Sequence, residues 1–214
     1  MANRSTSGFG LRMAMMLGNS PAIGGQSKYA IKSGLGVGIF KGNPASIQLA
    51  GDTGYIQDSG FSTTDDGNDG GIDFTTANDA LLVGVHNGVF YIDNTTSKPT
   101  FANSVAASTT FGTNPNTNST DGVAFVNDNP DQEYIVKADG VVTQALFGLC
   151  GNMNDFAAGD AKDGASTATF DSGTQAETKM FRIVRSAEDP DNEDLTAAGA
   201  NIIVVINAAA NTYR

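Results

Sequence analysis

The chain has 214 residues and a formal net charge of −11, and only 16% of its residues are charged. Such an acidic protein repels phosphate, so its composition argues against nucleic acid as a main partner. A single cysteine and a single histidine exclude an internal disulfide and a zinc site of the cysteine–histidine type. We expect Cys150 to be a small buried hydrophobic residue. No stretch approaches the ~18 apolar residues of a membrane span, and we expect a protein made and kept in a cytoplasm-like compartment.

The first 50 residues contain no Asp or Glu but five basic residues, so they carry +5 and the remainder of the chain carries −16. This asymmetry predicts a basic segment that lies on an acidic surface of its own chain or of a neighbour. We interpret residues 1–27, which are rich in Gly, Ser, Asn and Met, as an extended N-terminal arm. The methionines are adaptable enough to fill a groove on a partner or to cap the protein's own core. The expected partner-binding residues are Arg4, Phe9, Arg12, Met13, Met15, Met16, Lys28 and Lys32.

Short strands are predicted from residue 28 onwards. Residues 28–33 alternate between polar and apolar side chains, which is the two-residue period of a half-buried strand. Further strands are predicted at 37–41, 45–50 and 54–57, where glycines and the turn Asn43–Pro44 separate them. Residues 58–79 are acidic and rich in glycine, so they predict a surface loop.

The strongest strand signal covers residues 81–93, and Asn87–Gly88 in its middle indicates a hairpin or a bulge. Residues 94–121 are rich in Thr, Ser and Asn and predict one or two long surface loops. Strands are then predicted at 123–126, 133–138 and 141–147. Residues 149–173 are small and polar and predict at most a short helix. The last predicted strands are 180–185 and 202–206, the latter a run of β-branched residues typical of a strand buried on both faces.

Many short strands with almost no amphipathic helix predict an all-β fold, either a sandwich or a barrel of short strands with long loops. We expect residues 28–214 to form a single β-rich domain, preceded by the extended N-terminal arm.

The inventory of catalytic and metal-binding groups is small. His86 lies inside a predicted strand, so we expect a structural or surface-exposed histidine rather than a catalytic base. The glycines at 34, 36 and 38 lack the spacing of a dinucleotide loop, and no helix is predicted after them. The acidic stretches 65–73, 155–163 and 189–194 lack the spacing of a calcium loop. Solvated loops are the expectation there, with weak calcium binding as the alternative. We therefore predict no enzymatic activity and no cofactor.

Seven short motifs follow one another along most of the chain: Ser7–Arg12, Gly24–Ile31, Phe40–Pro44, Leu82–Val85, Lys98–Phe101, Val123–Asp128 and Asn201–Asn207. In this order they resemble a family of small virion structural proteins of marine tailed phages. The openings of those proteins carry a similar Gly-Phe-Arg element followed by a Tyr-x-Ile strand. The resemblance implies a virion component with the capsid as its location, and it brings no catalytic residues.

The expected function is that of a capsid decoration, or cement, protein on the outer surface of the phage head, made in the host cytoplasm. Its expected partners are the major capsid protein and further copies of itself, with a trimer suggested by the local three-fold positions of shells. The alternatives are another virion component, namely a major capsid subunit, a head fibre or a tail protein. A carbohydrate-binding β-sandwich is a further alternative, and it would need exposed aromatic side chains.

Overall fold

The computed structural model describes residues 3–5, 7–18, 20–22, 25–48, 52–58, 82–154, 159–177 and 179–213. The predicted acidic loop 58–79 therefore lies, beyond Asp58, outside the described residues. Strands, counted with isolated bridges, account for 46% of the described residues and helices for 3%, which confirms the predicted all-β class. The strands are β1 Arg12–Met16, β2 Ser20–Pro21, β3 Ser27–Ile31, β4 Ile39–Phe40, β5 Pro44–Ile47, β6 Ile56–Asp58, β7 Leu82–Ile92, β8 Pro99–Ala102, β9 Ser104–Val105, β10 Gly122–Asn127, β11 Gln132–Lys137, β12 Cys150–Asn154, β13 Thr169–Gln175, β14 Phe181–Ser186 and β15 Asn201–Ile206. Two short 3₁₀ turns cover Gln144–Leu146 and Ala208–Ala210.

The strands form two larger sheets, and every pairing between them is antiparallel. The seven-stranded sheet has the order β13-β12-β14-β15-β11-β1-β2. The six-stranded sheet has the order β3-β10-β7-β5-β6, and β8 pairs with the second half of β7. The short strands β4 and β9 form a small third sheet. The architecture is sandwich-like, in agreement with one of the two predicted alternatives.

Two hydrophobic clusters form the core, and β7 contributes to both. The first cluster lies against the seven-stranded sheet and contains Tyr134, Phe170 and Ile202 together with Leu82 of β7. The second belongs to the six-stranded sheet and the β4–β9 pair, and it contains Ile31, Ile56, Phe111 and Val89. Because β7 is buried on both faces along most of its length, it ties the two halves together.

Strand β7 also contains a bulge at the predicted position. Phe125 of β10 lies opposite Gly88, whereas its neighbour Val126 lies opposite His86, so Asn87 is the extra residue. Gly88 has a φ of +152°, a value that side chains disfavour. The Asn-Gly pair thus marks a bulge, one of the two predicted alternatives.

Several strand predictions were wrong. Residues 141–147 form turns and a 3₁₀ segment rather than a strand. Conversely, β8 and β9 lie in a region predicted as loop, and β12 and β13 lie in a region predicted as small and polar. The last pair depends on a long-range contact, because a Cβ at Gly151 would overlap the Phe170 ring and would lie 3.0 Å from Asp171 O. A glycine in β12 thus makes room for a core aromatic of β13, which local composition does not reveal.

The predicted arm is partly built into the body. Residues 12–16 form β1, which pairs with β11 and with the two-residue strand β2. Leu11 is 3% exposed and belongs to the first core cluster. This part of the N-terminal segment is therefore a strand of the seven-stranded sheet.

Candidate docking surface

The outer face of the six-stranded sheet carries a row of apolar side chains from four neighbouring strands. Ala30 of β3 lies opposite Val123 of β10, which lies opposite Phe90 of β7, which in turn lies opposite Phe101 of β8. Side chains at directly opposed positions point to the same face of a sheet. The four residues therefore form one continuous strip across the sheet.

A second row runs beside the first. Lys28 of β3 lies opposite Phe125 of β10, and Phe125 lies opposite Gly88 of β7. We call the six side chains of the two rows the aromatic face, namely Lys28, Ala30, Phe90, Phe101, Val123 and Phe125. Its only charged member is the exposed Lys28, which lies at the end of its row on the outermost strand.

The three phenylalanines of the aromatic face contact one another. The ring centroids of Phe90 and Phe101 are 4.7 Å apart, and those of Phe101 and Phe125 are 6.3 Å apart. Both distances lie in the range of favourable aromatic pairs. Phe101 is nevertheless 73% exposed, while Phe90 and Phe125 are half-buried. A large aromatic side chain held in place yet uncovered is a typical anchor of a binding surface.

Gly88 leaves a gap between these rings. Among the described residues, a Cβ at this position would meet only Ala102 O, at 3.3 Å. The gap widens into a groove of about 530 Å³ whose rim includes Gln26, Asn87 and Asn103. The Asn87 side chain donates a hydrogen bond of 2.8 Å to Gln26 Oε1, which fixes one edge of the groove. The surface thus combines apolar rings with amide groups.

A second groove, of about 710 Å³, begins on the other side of Gln26 and is lined by Tyr29, Asp128 and Tyr213 among others. The Tyr29 hydroxyl donates to Asp128 Oδ2 at 2.8 Å, and the two tyrosine hydroxyls are 2.6 Å apart. Burial, followed by these hydrogen bonds, raises the pKa of Tyr29, so its phenol stays neutral. This groove is a polar site with aromatic walls.

The predicted partner-binding residues do not converge on one surface. Lys28 belongs to the aromatic face, and Lys32 forms an ion pair with Asp52. Arg4 pairs with Asp191 of the same chain at 3.1 Å. The Arg12 guanidinium lies 4.3 Å from the centroid of the Phe9 ring. The three methionines differ in their burial. Met13 packs against the first core cluster, Met15 is 45% exposed, and Met16 is half-buried.

The single histidine is a buried residue. His86 is 1% exposed, and its Nε2 lies 3.2 Å from the carbonyl oxygen of Gln57. Burial lowers its pKa to about 4, so the ring is neutral at pH 7. The geometry agrees with the structural role expected from the sequence. Cys150 is also buried, as predicted, and burial raises the pKa of its thiol.

The acidic stretch 189–194 stabilises its own turn. Asp189 Oδ2 accepts hydrogen bonds from the side chains of Asn192 and Asn201, and Asp189 Oδ1 accepts one from the backbone of Asp191. These bonds lower the pKa of Asp189, with the Asn192 bond as the largest cause. Within the described ranges, no three His, Cys, Asp or Glu side chains come together as a metal-binding group. The stretch 65–73 and residues 155–158 lie outside those ranges.

Comparisons of the chain with family models, with curated proteins and with solved structures gave no match. In the part of the chain that the structure describes, no helix is long and apolar enough to cross a membrane.

Sequence reasoning missed the aromatic face, apart from Lys28. Phe90, Phe101 and Phe125 are far apart along the chain and meet only through the register of β7, β8 and β10. One local signal was available, because Val123 and Phe125 alternate with the buried Ala124 and Val126. A strand near the edge of a sheet that carries apolar side chains on both faces indicates that another molecule or segment packs on its outer face.

Proposed function

We propose that the protein is a structural virion protein that decorates and cements a phage capsid. The observation that carries this proposal is the aromatic face, where Phe101 of β8 is 73% exposed while its ring lies against those of Phe90 and Phe125. The resemblance to small virion proteins of tailed phages suggests that the assembly to which this surface binds is a phage capsid. In this proposal the partner is the major capsid protein, and the protein lies on the outer surface of the head.

The energetics support docking through this face. Full burial of a phenylalanine side chain contributes about 1.5–3 kcal/mol, and Phe101 retains most of its surface for that purpose. The rings are held by strand pairing before any partner arrives, so little side-chain entropy is lost on binding. Many copies on a shell would each add such a contact across joints between shell subunits.

The test is co-sedimentation of the purified protein with undecorated capsids, followed by heating of the shells. We expect stoichiometric binding and a higher temperature of shell disruption. Phe101→Ser should weaken binding at least tenfold, because it removes an anchor of this size. The matched control is Leu149→Ser, which removes another exposed apolar side chain, 42% exposed, from outside the aromatic face. This control should bind like the unmodified protein.

The results of this experiment distinguish the decoration protein from the other virion components. Binding that is unaffected by Phe101→Ser contradicts the aromatic face as the contact, and loss of binding in the Leu149 variant contradicts its specificity. Closure of the protein alone into shells would identify a major capsid subunit. Absence of both binding and assembly overturns the capsid proposal and favours a head-fibre or tail protein. A trimer in the bound state, measured by labelling stoichiometry, would fit the local three-fold positions of a shell.

A second candidate function is carbohydrate binding, favoured by the groove of Tyr29, Tyr213 and Asp128. Aromatic rings beside a carboxylate suit the alternating apolar faces and hydroxyl groups of a sugar ring. Affinity electrophoresis in gels containing dextran, laminarin or chitosan oligomers tests it. Retardation by one of them that Tyr213→Ala abolishes would support this function, and unchanged mobility with all three would oppose it.

A further inference from the structure

The described residues of the N-terminal segment 3–16 lie in a groove formed by the rest of the chain. Its first anchor is Asn3, whose side-chain nitrogen donates to the carbonyl oxygens of Asp194, Ala197 and Ala198 at 2.9–3.2 Å. The Asn3 side-chain oxygen accepts a hydrogen bond of 3.0 Å from the backbone of Asp194. One short side chain thus uses both its donor and its acceptor on the 194–198 turn. An aspartate or leucine could not make this set of bonds.

Charge complementarity extends the anchor. The backbone nitrogen of Arg4 donates to Asp191 O at 3.1 Å, and its guanidinium pairs with the Asp191 carboxylate. The ammonium of Lys137, a residue 3% exposed, donates to Ser5 O at 3.0 Å. Phe9 lies within 5.9 Å of the same ammonium. An acid-free segment therefore covers the buried ammonium of Lys137, and its Arg4 meets Asp191 of an acidic turn.

Two glycines then pass through a narrow part of the groove. A Cβ at Gly8 would overlap Thr167 O, and one at Gly10 would lie 2.6 Å from Ser166 Cβ and 2.8 Å from Gly42 O. The backbone here is held from both sides, because Gly10 donates to Ala168 O at 3.0 Å and Leu11 donates to Gly42 O at 2.8 Å. The groove therefore selects this sequence by shape as well as by charge.

In the connection from the segment to β3, most of the described residues are exposed to solvent. Leu17 is 49% exposed, and Gly18, Ser20, Pro21, Gly25 and Gln26 are also exposed. The strand β2 has only two residues, and Pro21 has no N–H to donate. Five residues, 22–26, then join the edge of one sheet to β3 of the other. A bound terminal segment whose connection is exposed is suited to exchange between copies.

We propose that the groove also binds residues 3–16 of a second copy of this chain, so that copies are linked by exchange of their N-terminal segments. Every contact described above forms equally well between chains, so the effective concentration of the segment decides which copy it occupies. A short flexible linker provides an effective concentration on the order of millimolar, and copies packed side by side on a surface reach similar values. The inference does not depend on the proposed capsid role, and it is tested without capsids.

The first experiment uses two single-cysteine chains in a Cys150→Ala background. Arg4→Cys and Asp191→Cys replace residues whose backbones are hydrogen-bonded to each other, so their Cβ atoms are within reach of a disulfide. The two chains are refolded together at high concentration, oxidised and separated on a non-reducing gel. We expect a covalent heterodimer. The control pairs Arg4→Cys with Thr96→Cys, an exposed turn position outside the groove, and should cross-link only at the level of random collision.

The second experiment shortens the connection by deleting three residues between 22 and 26. If the groove accepts a segment from another chain, the shortened protein becomes a dimer or a larger oligomer by light scattering, because the segment no longer reaches its own groove. A shortened chain that stays monomeric or simply unfolds overturns the proposal. Equal cross-linking in the test and control pairs of the first experiment overturns it as well.

Discussion

The outer faces of the two sheets differ in what covers them. On the seven-stranded sheet, Lys137 is 3% exposed because Ser5 and Phe9 of the N-terminal segment lie over it. On the same face Glu133 is 1% exposed and receives two hydrogen bonds, of 2.7 and 2.6 Å, from Arg185. On the six-stranded sheet, the aromatic face is open and Phe101 is 73% exposed.

The covered face carries charged groups and the open face carries aromatic rings. Burial of charge requires partners with fixed geometry, which the chain supplies from Arg185 for Glu133 and partly from the N-terminal segment for Lys137. Aromatic rings require only a surface of matching shape, which another molecule can supply. The chain thus supplies the partners of its buried charges itself, whereas the aromatic face of the other sheet remains exposed.

The largest expected effect compares two phenylalanines. Phe111 is 4% exposed and stacks on Tyr91 in the second core cluster, with ring centroids 4.8 Å apart. Phe111→Ala should lower the free energy of unfolding by about 3–5 kcal/mol, because it leaves a cavity. Phe101→Ala should change it by only about 0.5 kcal/mol, as for other exposed positions. Urea denaturation of both variants measures the difference. Equal losses would mean that the aromatic face supports the fold rather than a partner.

The next prediction concerns the covered face. Gly8→Ala should cost roughly 3 kcal/mol, at the upper end of overpacking effects, because the added carbon meets backbone atoms that cannot rotate away. The matched control is Gly36→Ala, where a Cβ would have nothing within 4 Å. That change should be neutral or slightly stabilising. If both variants unfold at the same urea concentration, the segment is not held in the groove in solution.

The third prediction concerns β7, the strand that joins the two halves. As the pH falls, the unfolded chain protonates His86 near 6.5, whereas the folded protein does so only near 4. The unfolded state therefore binds the proton first, and stability should fall by up to about 3 kcal/mol between these pH values.

His86→Gln is the control for this pH dependence, because it removes the only histidine and keeps a side-chain N–H donor. The stability of the variant should be nearly flat across the same window. A separate loss of stability is expected below this pH window. It comes from three carboxyl groups whose pKa values are lowered from 3.8 by hydrogen bonds, namely Asp93, Asp189 and Asp194. An equal slope in both proteins would place the titration elsewhere.

The smallest expected effect is that of the Arg4–Asp191 ion pair. Its side chains are 78% and 61% exposed, so Arg4→Ala should cost no more than about 0.5 kcal/mol, and less at high salt. Asn3→Ala should cost more, because it leaves four hydrogen bonds to the 194–198 turn unmade. The reverse order would mean that charge, and not the amide, holds the N-terminal segment.

The sequence predicts strands well where one side chain pattern dominates. The alternation at 28–33, the long apolar run at 81–93 and the β-branched run at 202–206 correspond to β3, β7 and β15. It fails where a strand is defined by its partner. β12 is rich in Gly and Asn and forms because Phe170 packs over Gly151. Residues 141–147 look like a strand but have no neighbour that pairs with them among the described residues.

The candidate site was less predictable than the fold. Charge identified the N-terminal segment, and Arg4 does meet an acidic turn, but charge could not show that Met13 would pack into the core. The aromatic face depends on which residues lie opposite one another in four strands. Such register is a long-range property that no single stretch of sequence contains.

The position of β15 in its sheet has a consequence for the order of folding. β15 is the last strand along the chain, yet it lies between β14 and β11, near the middle of the seven-stranded sheet. During synthesis, residues 201–206 leave the ribosome after the other described strands of this sheet, so until then β11 and β14 expose one edge each. Unpaired edges are the usual starting points of aggregation. The strand Asn201–Ile206 covers both of these edges when it pairs with β11 and β14. The nascent chain is therefore more prone to aggregation until this strand has been synthesised.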